Sequence, residues 1–407
     1  MRTIVIIGGG ASGLMAAYSA SLSRENQVIL IEKNEKLGKK IYITGKGRCN
    51  LSADVPTNEF FNFVVNNPKF LYSSIYNFPP EDTYNFFETN GLKLKVERGN
   101  RVFPLSDKSS DVIKTLEKAV KNNGVKILLN TVVRDIFIKD GAVYSVKTDK
   151  EEIIANSIIV CTGGISYPTT GSTGDGYVFA KKVGHNIINP VPSLCGLEVT
   201  NQDVKELQGL SLKNIKIRAI YNQKTIYEDF GEMLFTHFGV SGPVILSCST
   251  KINRLPLKDV KIIIDLKPAL SAEMLDNRLL REIEQIKNSN LSSLVRKLAP
   301  LSLASVLIKR LGVSSTRKCC ELTFNEREKL IYILKNFEIS LKSLRPIEEA
   351  IITSGGVNVN SINPKTMESK LVKNLFFAGE VLDVDAYTGG FNLQIAFSTG
   401  FTAGQNA

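Results

Sequence analysis

The stretch from Ile4 to Lys33 constrains this chain more than any other. Ile4-Val-Ile-Ile7 is a run of apolar residues with no polar alternation, as a parallel strand buried on both faces requires, and it stops at glycines. Gly8, Gly10 and Gly13 complete Gly-x-Gly-x-x-Gly. The first allows a sharp turn, the second has no Cβ to hold a pyrophosphate away, and the third lets the next helix sit close to the sheet. That helix starts with unpaired N–H groups and the positive end of its dipole facing the phosphates. Its buried face is small, with Ala16, Ala17 and Ala20 at helical spacing. A second buried strand, Val28–Ile31, ends in Glu32, where a carboxylate can accept both hydroxyls of an adenosine ribose. Glu32 would repel a 2′-phosphate, so an NADP-type ribose is not expected there.

Glycine-rich turns are common, and the motif gains its weight from order: strand, glycines, helix, strand, acid. An ordinary βαβ unit would leave both the glycine spacing and Glu32 unexplained. At 407 residues the chain has room for two or three domains. Its 43% hydrophobic and 22% charged content is that of a globular protein. No apolar run approaches a membrane span, and the first strand begins almost at Met1, so neither a membrane partner nor a signal peptide is expected and the location is expected to be cytoplasmic. Cys49, Cys161, Cys195, Cys248, Cys319 and Cys320 form no Cys-x-x-Cys pair, and His185 and His237 are the only histidines; no metal site and no disulfide framework are expected. The net charge is +11, and the Lys and Arg residues behind it are scattered through the chain without forming blocks. It reads as a solvated basic surface that attracts anionic ligands, and a nucleic-acid partner is not expected.

Further along, Gly45-Lys46-Gly47 mimics part of a Walker A loop, yet Gly47 stands where Ser or Thr should bind magnesium and no helix follows. Residues 58–90 carry many Phe and Tyr side chains, among them Phe60, Phe61, Phe63, Phe70, Tyr72, Tyr76, Phe86 and Phe87, and predict a helical insertion with an aromatic core, Pro80 near the start of one helix and Gly91 just past its end. Asp111–Asn122 is amphipathic with Gly124 as its stop. Strand-like runs at 126–131, 132–139, 142–148 and 152–155, with Asp140-Gly141 between two of them, predict a small antiparallel meander. Ser157–Cys161 is another buried strand, ending in Thr162-Gly163-Gly164, where backbone can approach a ligand. Past Pro190 and Pro192 the texture changes. Residues 193–265 read as short strands, 271–312 as helices broken at Pro300, and Asn325–Glu328 as a capping box that opens one more helix. The chain then returns to Asn374–Asp383 and to Tyr387–Ala396, where a strand, an acid-bearing turn and the pair Gly389-Gly390 build a second anion-ready helix start.

These motifs together resemble the BaiN-like, aminoacetone-oxidase-like family of bacterial FAD-dependent (NAD(P)/FAD) oxidoreductases. The resemblance rests on Gly8–Gly13 with Glu32, on Gly45-Lys-Gly-Arg-Cys-Asn50, on Thr162–Tyr177 and on Ala378–Gln394, supported by Phe235–Pro243 and Thr366–Lys370. It implies an α/β fold: a glutathione-reductase-like Rossmann FAD-binding domain built from residues 1–190 and 345–407. An insert domain, 191–344, would have β-barrel-like parts at 191–268 and 313–344 and a helical part at 269–312. It further implies a non-covalent FAD with Ser12 and Gly13 at the pyrophosphate, Glu32 at the ribose and Lys39 beside the phosphates. Val133 would stand at the adenine, and Arg48, Cys49 and Asn50 near the flavin. Thr162, Gly163 and Gly164 would form the crossover turn, Glu380 would hold the ribityl chain, and Asn392 and Leu393 would offer N–H groups to the ring. Gly8, Gly10, Lys33, Gly47, Gly379 and Gly390 complete the expected cofactor set.

A flavin carries out the electron transfer, so the protein must hold, orient and polarise it. The candidates for catalysis are Arg48, Cys49, His237, Tyr167 and Tyr387. Arg48 could orient an anionic substrate or serve structure. Cys49 has no partner cysteine in its motif, which favours packing over redox work. His237 sits in a motif-like loop as a candidate acid or base, weighed against a structural histidine. Tyr167 and Tyr387 are expected to line the substrate face. Three functions follow: a flavin oxidoreductase on a small organic substrate, reoxidised by oxygen or reduced by transiently bound NAD(P)H; a flavin-dependent RNA-modifying protein; and a non-enzymatic FAD-binding protein. Whether the chain is a monomer or a homodimer is not encoded in any motif.

Overall fold

Ile4, Val5 and Ile6 have no exposed surface, which is the condition their uninterrupted apolar run predicts. The computed structural model describes residues 1–407. These divide into two units, Met1–Ser193 with Pro346–Ala407, and Leu194–Arg345.

In the first unit, β1 (Arg2–Ile7) is central in a five-stranded sheet. On one side lie β2 (Asn26–Ile31) and then Lys126–Leu128; on the other lie Ser157–Val160 and then Leu375–Phe377. All four pairings are parallel. The strand from the far end of the sequence therefore belongs to the same sheet as the first strand. Helix α1 (Ala11–Ala20) packs on the C-terminal helix Phe391–Asn406 through small residues. A Cβ on Gly400 would fall 2.3 Å from the Ser12 carbonyl oxygen, and one on Gly404 2.3 Å from that of Ala16. Only bare backbone permits so close a crossing.

The run at 126–128 joins the edge of the parallel sheet and is not part of the expected meander, which comprises Val133–Lys139, Ala142–Thr148 and Glu152–Ile154. Its hairpin turns at Asp140 and Gly141, both with positive φ, as the Asp-Gly pair predicts. The aromatic segment is largely helical: Pro80 opens Pro80–Thr89, and Gly91 follows its end at φ +89°. Within it, Val64–Asn66 departs from the helical expectation and pairs as a strand with Asp385–Ala386.

The second unit is a closed six-stranded barrel in the order Leu197–Val199, Gly239–Ser241, Lys224–Phe235, Ser211–Tyr221, Lys261–Asp265, Phe337–Leu344. Helices Ala272–Gln285, Leu291–Arg296 and Leu301–Leu311 follow the helical period, with Pro300 as the cap before the last. Two details differ from expectation. Pro243–Ile252 is a helix, although its β-branched residues read as strand. The capping box is Thr323 with Glu326, two residues earlier than Asn325–Glu328: the Glu326 N–H donates to Thr323 Oγ1, and the Thr323 N–H donates to Glu326 Oε2 at 2.9 Å. No helix is long and apolar enough to cross a membrane.

Candidate functional site

The glycine turn follows β1 directly. A Cβ at position 13 would fall 1.8 Å from the Gly8 carbonyl oxygen, so no other residue fits there, whereas a Cβ at Gly10 would meet nothing within 4 Å. Gly10 is thus open on the side where a phosphate would approach. It is also the N-cap of α1, with no side-chain cap and no acid in the first turn, so the helix start keeps its donors. Ser12 faces inward: its hydroxyl lies against Cys161, and a Cβ at Gly379 would come 2.5 Å from it.

Glu32 is almost fully buried at the end of β2. Its Oε2 accepts the Gly9 N–H at 2.7 Å, and its Oε1 accepts the Asn34 N–H at 2.8 Å and Asn34 Nδ2 at 2.6 Å. The carboxylate therefore braces the glycine turn, and Oε2, which accepts one of these bonds where Oε1 accepts two, keeps capacity for a further donor. Gly9, which the motif reading passes over, is tightly packed here: a Cβ would fall 2.4 Å from Leu37 Cδ2 and 3.1 Å from Glu32 Oε2, so a side chain there would have to displace Leu37.

Lys33 pairs with Asp175 at 2.7 Å, and Lys39 with Glu35 at 3.1 Å. The neighbour Lys40, absent from the expected set, reaches the C-terminal motif. Its Nζ donates to Glu380 Oε2 at 2.6 Å and to Ser166 Oγ at 2.6 Å, while Glu380 Oε1 also accepts the Thr353 N–H at 2.8 Å. A carboxylate so engaged is fixed in place beside Gly164, whose Cβ would stand 3.2 Å from Glu380 Oε1. Thr162 Oγ1, at the adjoining strand end, is buried without a partner.

The 45–50 motif is a tight loop with positive φ at Gly45, Lys46, Gly47 and Cys49. Arg48 is not open to an anion: its guanidinium is held by Glu97 and Asp107 and lies 4.2 Å from the Phe103 ring centre. Cys49 has no exposed surface, and burial pushes its thiol up to about 12, so it stays protonated and unreactive near neutral pH. Asn50 Oδ1 accepts the Val102 N–H at 3.1 Å. This loop leads to Ser52, whose carbonyl oxygen would be 2.3 Å from a Cβ on Gly390. Gly390 caps the C-terminal helix without a side-chain bond. Asn392 closes the preceding turn, accepting the Ala386 N–H at 2.9 Å and donating to the Ala386 oxygen at 2.8 Å. Its side chain is thereby occupied, leaving backbone as what Asn392 and Leu393 can offer.

Val133 starts the meander and is buried. Tyr167 sits at φ +50° before Pro168, and Tyr387 donates its N–H to the Phe63 oxygen at 3.0 Å. His237 belongs to the barrel unit, in the turn between Lys224–Phe235 and Gly239–Ser241, its ring 5.0 Å from that of Phe238. The geometry gathers Gly8–Gly13, Glu32, Thr162–Gly164 and Gly379–Glu380 just beyond the carboxyl ends of four parallel strands, the place where such sheets bind ligands.

A parallel sheet read at its carboxyl edge, a glycine turn with its acid, and a second glycine turn supplied by the far terminus define a Rossmann flavoprotein of the oxidoreductase class. The chain belongs to the HI0933-like family, whose model, described as "HI0933-like protein Rossmann domain", matches residues 2–406. It is 30% identical to a 3-dehydro-bile acid delta(4,6)-reductase of Clostridium scindens, over 100% of this chain and 99% of that one. It is 29% identical to a ribosomal RNA dihydrouridine synthase of Haemophilus influenzae, over 98% and 96%. Among solved structures, a 3-ketosteroid delta1-dehydrogenase from Sterolibacterium denitrificans shares the fold with a TM-score of 0.53 at 12% identity, covering 99% of each chain.

Proposed function

We propose that this protein is an FAD-dependent reductase that saturates a carbon–carbon double bond conjugated to a carbonyl group in a small organic substrate, with NAD(P)H as a transient electron donor. The observation that carries the reading is the meeting of the two termini: the strand Leu375–Phe377 in the sheet of β1, and Gly379 against Ser12. FAD would be held non-covalently, its pyrophosphate at the open face of Gly10 and its ribose at Glu32. The flavin end would lie between Thr162–Gly164, Glu380 and the Gly390–Leu393 turn. Bound there, FAD supplies two-electron transfer to an electron-poor carbon.

The relatives' names favour this bond type. A 3-dehydro bile acid with 4,6-unsaturation and a uridine ring both carry a double bond conjugated to a carbonyl, and each named activity leaves it saturated. The chain's own residues act around the transfer. Lys40, Ser166 and the Thr353 N–H fix Glu380 as an acceptor, and the uncapped start of the C-terminal helix at Gly390 would favour negative charge on a flavin bound against it. Arg48 and Cys49 serve packing, one by its ion pairs and the other by its burial.

Anaerobic mixing of the FAD-loaded protein with NADH or NADPH, followed by a 4,6-dien-3-one, tests the proposal. Flavin bleaching by one nucleotide and recovery on adding the dienone are expected. Bleaching that recovers only in air would replace the reductase with an oxidase.

A second reading, reduction of uridine within RNA, is favoured by one observation. The barrel unit, residues 194–345, holds 24 Lys and Arg against 16 Asp and Glu, so +8 of the net +11 lies in it.

A further inference from the structure

Asp385 has no exposed surface and lies two residues before Tyr387, where the cofactor-facing turn starts. Its carboxylate has three side-chain donors: Asn66 Nδ2 and Ser354 Oγ, the latter at 3.3 Å, on Oδ1, and Ser193 Oγ at 3.2 Å on Oδ2. Asn66 Nδ2 also donates to Ser354 Oγ at 3.2 Å. The donors come from three strands, Val64–Asn66, Ile187–Ser193 and Ile352–Val357, of which the last two pair antiparallel. A strand junction that needed only tying together would be served by a neutral side chain, because a buried charge without a cation is costly. Asp385 has no cation. Burial pushes it up to about 6; Asp383, the titratable neighbour acting on it, pushes the same way, and the facing strands present only the uncharged Asn66, Ser193 and Ser354.

The link to the cofactor edge is covalent and short. Asp385 is followed by Ala386, whose N–H and carbonyl are both gripped by Asn392, and the loop so closed contains Gly389 and Gly390. A carboxylate accepts from all three donors; a carboxylic acid must donate through one oxygen, and one of the three loses its acceptor. We infer that Asp385 is a positioning residue for the cofactor-facing turn Tyr387–Phe391, holding it in one arrangement as a carboxylate and in another as the acid. This rests on the flavin reading of the cleft.

The test uses the full-length protein loaded with FAD, recording the visible flavin spectrum and the FAD Kd from flavin fluorescence between pH 5 and pH 8. The wild type is expected to show a one-proton step near pH 6. Its Kd should rise about fivefold on the acid side, the weight of one ordinary hydrogen bond. Asp385→Asn, the uncharged mimic, should hold the acid-side spectrum and Kd at every pH. Ser354→Ala, which removes one donor to the ionised form, should keep the step and move its midpoint upward. A step that persists in D385N, or a wild type without one, overturns the inference. A protein that takes no FAD at any pH overturns the flavin reading itself, and this inference with it, and is a different result from bound flavin without a step.

Discussion

At the residue scale, Asp385 is tuned by burial more than by its partners. Asp385 moves from an ordinary 3.8 up to about 6, so the folded protein favours its acid form. Its contribution to stability is therefore fully present below about pH 4 and lost as pH rises through 6; a shift of that size corresponds to about 3 kcal/mol. Chemical denaturation of wild type and D385N at pH 4.5 and pH 7.5 checks this. The wild type should lose stability relative to D385N on going to the higher pH, and a constant difference would refute the assignment. Glu32 acts through the hydrogen bonds it accepts. Truncation to Ala strips acceptors from the Gly9 and Asn34 N–H groups beside the glycine turn. Each buried donor left unmet costs about 1–3 kcal/mol. Glu32→Ala should thus weaken FAD binding at least about tenfold by fluorescence titration, and more than Glu32→Gln, which keeps one acceptor.

At the element scale, the fold depends on the crossing of α1 with the C-terminal helix, where Gly400 and Gly404 lie on backbone oxygens of Ser12 and Ala16. Gly404→Val should force the helices apart, costing about 1–3 kcal/mol as overpacking does and lowering the thermal midpoint. Gly124→Asn, at a helix end with open space around it and at φ +78°, a left-handed conformation that asparagine tolerates, should cost less, and equal losses at the two sites would deny the crossing this role. Much of the architecture was legible beforehand because its signals are local: uncharged strands ending in glycine, an Asp-Gly hairpin, Pro80 at a helix start. What stayed hidden lacked such signals. Lys126–Leu128 is a three-residue edge strand whose partner choice depends on the whole sheet. Pro243–Ile252 is apolar and β-branched, so local preference pointed to strand until its packing on the barrel decided otherwise. At the site, the glycines could be placed by motif, but Lys40 meets Glu380 across 340 positions, and no spacing rule reaches that far. Arg48 carried a motif position, yet its acids at 97 and 107 decide what it does.

At the scale of the whole molecule, charge is what separates the two substrate classes. The first unit is nearly balanced, with 27 basic and 24 acidic residues, while the barrel unit has a surplus of eight positive charges. Several of its basic groups are already used by acids, as Lys309 by Glu206 and Arg310 by Asp203, but Lys205, Lys213, Lys224 and Lys258 stand outside every ion pair of the structure. Such a field concentrates polyanions, and its effect must fade with salt because binding releases counterions. If uridine in RNA is the substrate, four phosphate contacts made by this unit should weaken binding of a ribosomal RNA fragment about fiftyfold between 50 and 200 mM salt. A neutral dienone has no counterions to release, so its KM should change little over the same range. Substituting those four lysines together by Gln should flatten the RNA slope and leave dienone turnover untouched. RNA binding that ignores salt would remove the second reading, and the surplus would then have no bearing on substrate choice.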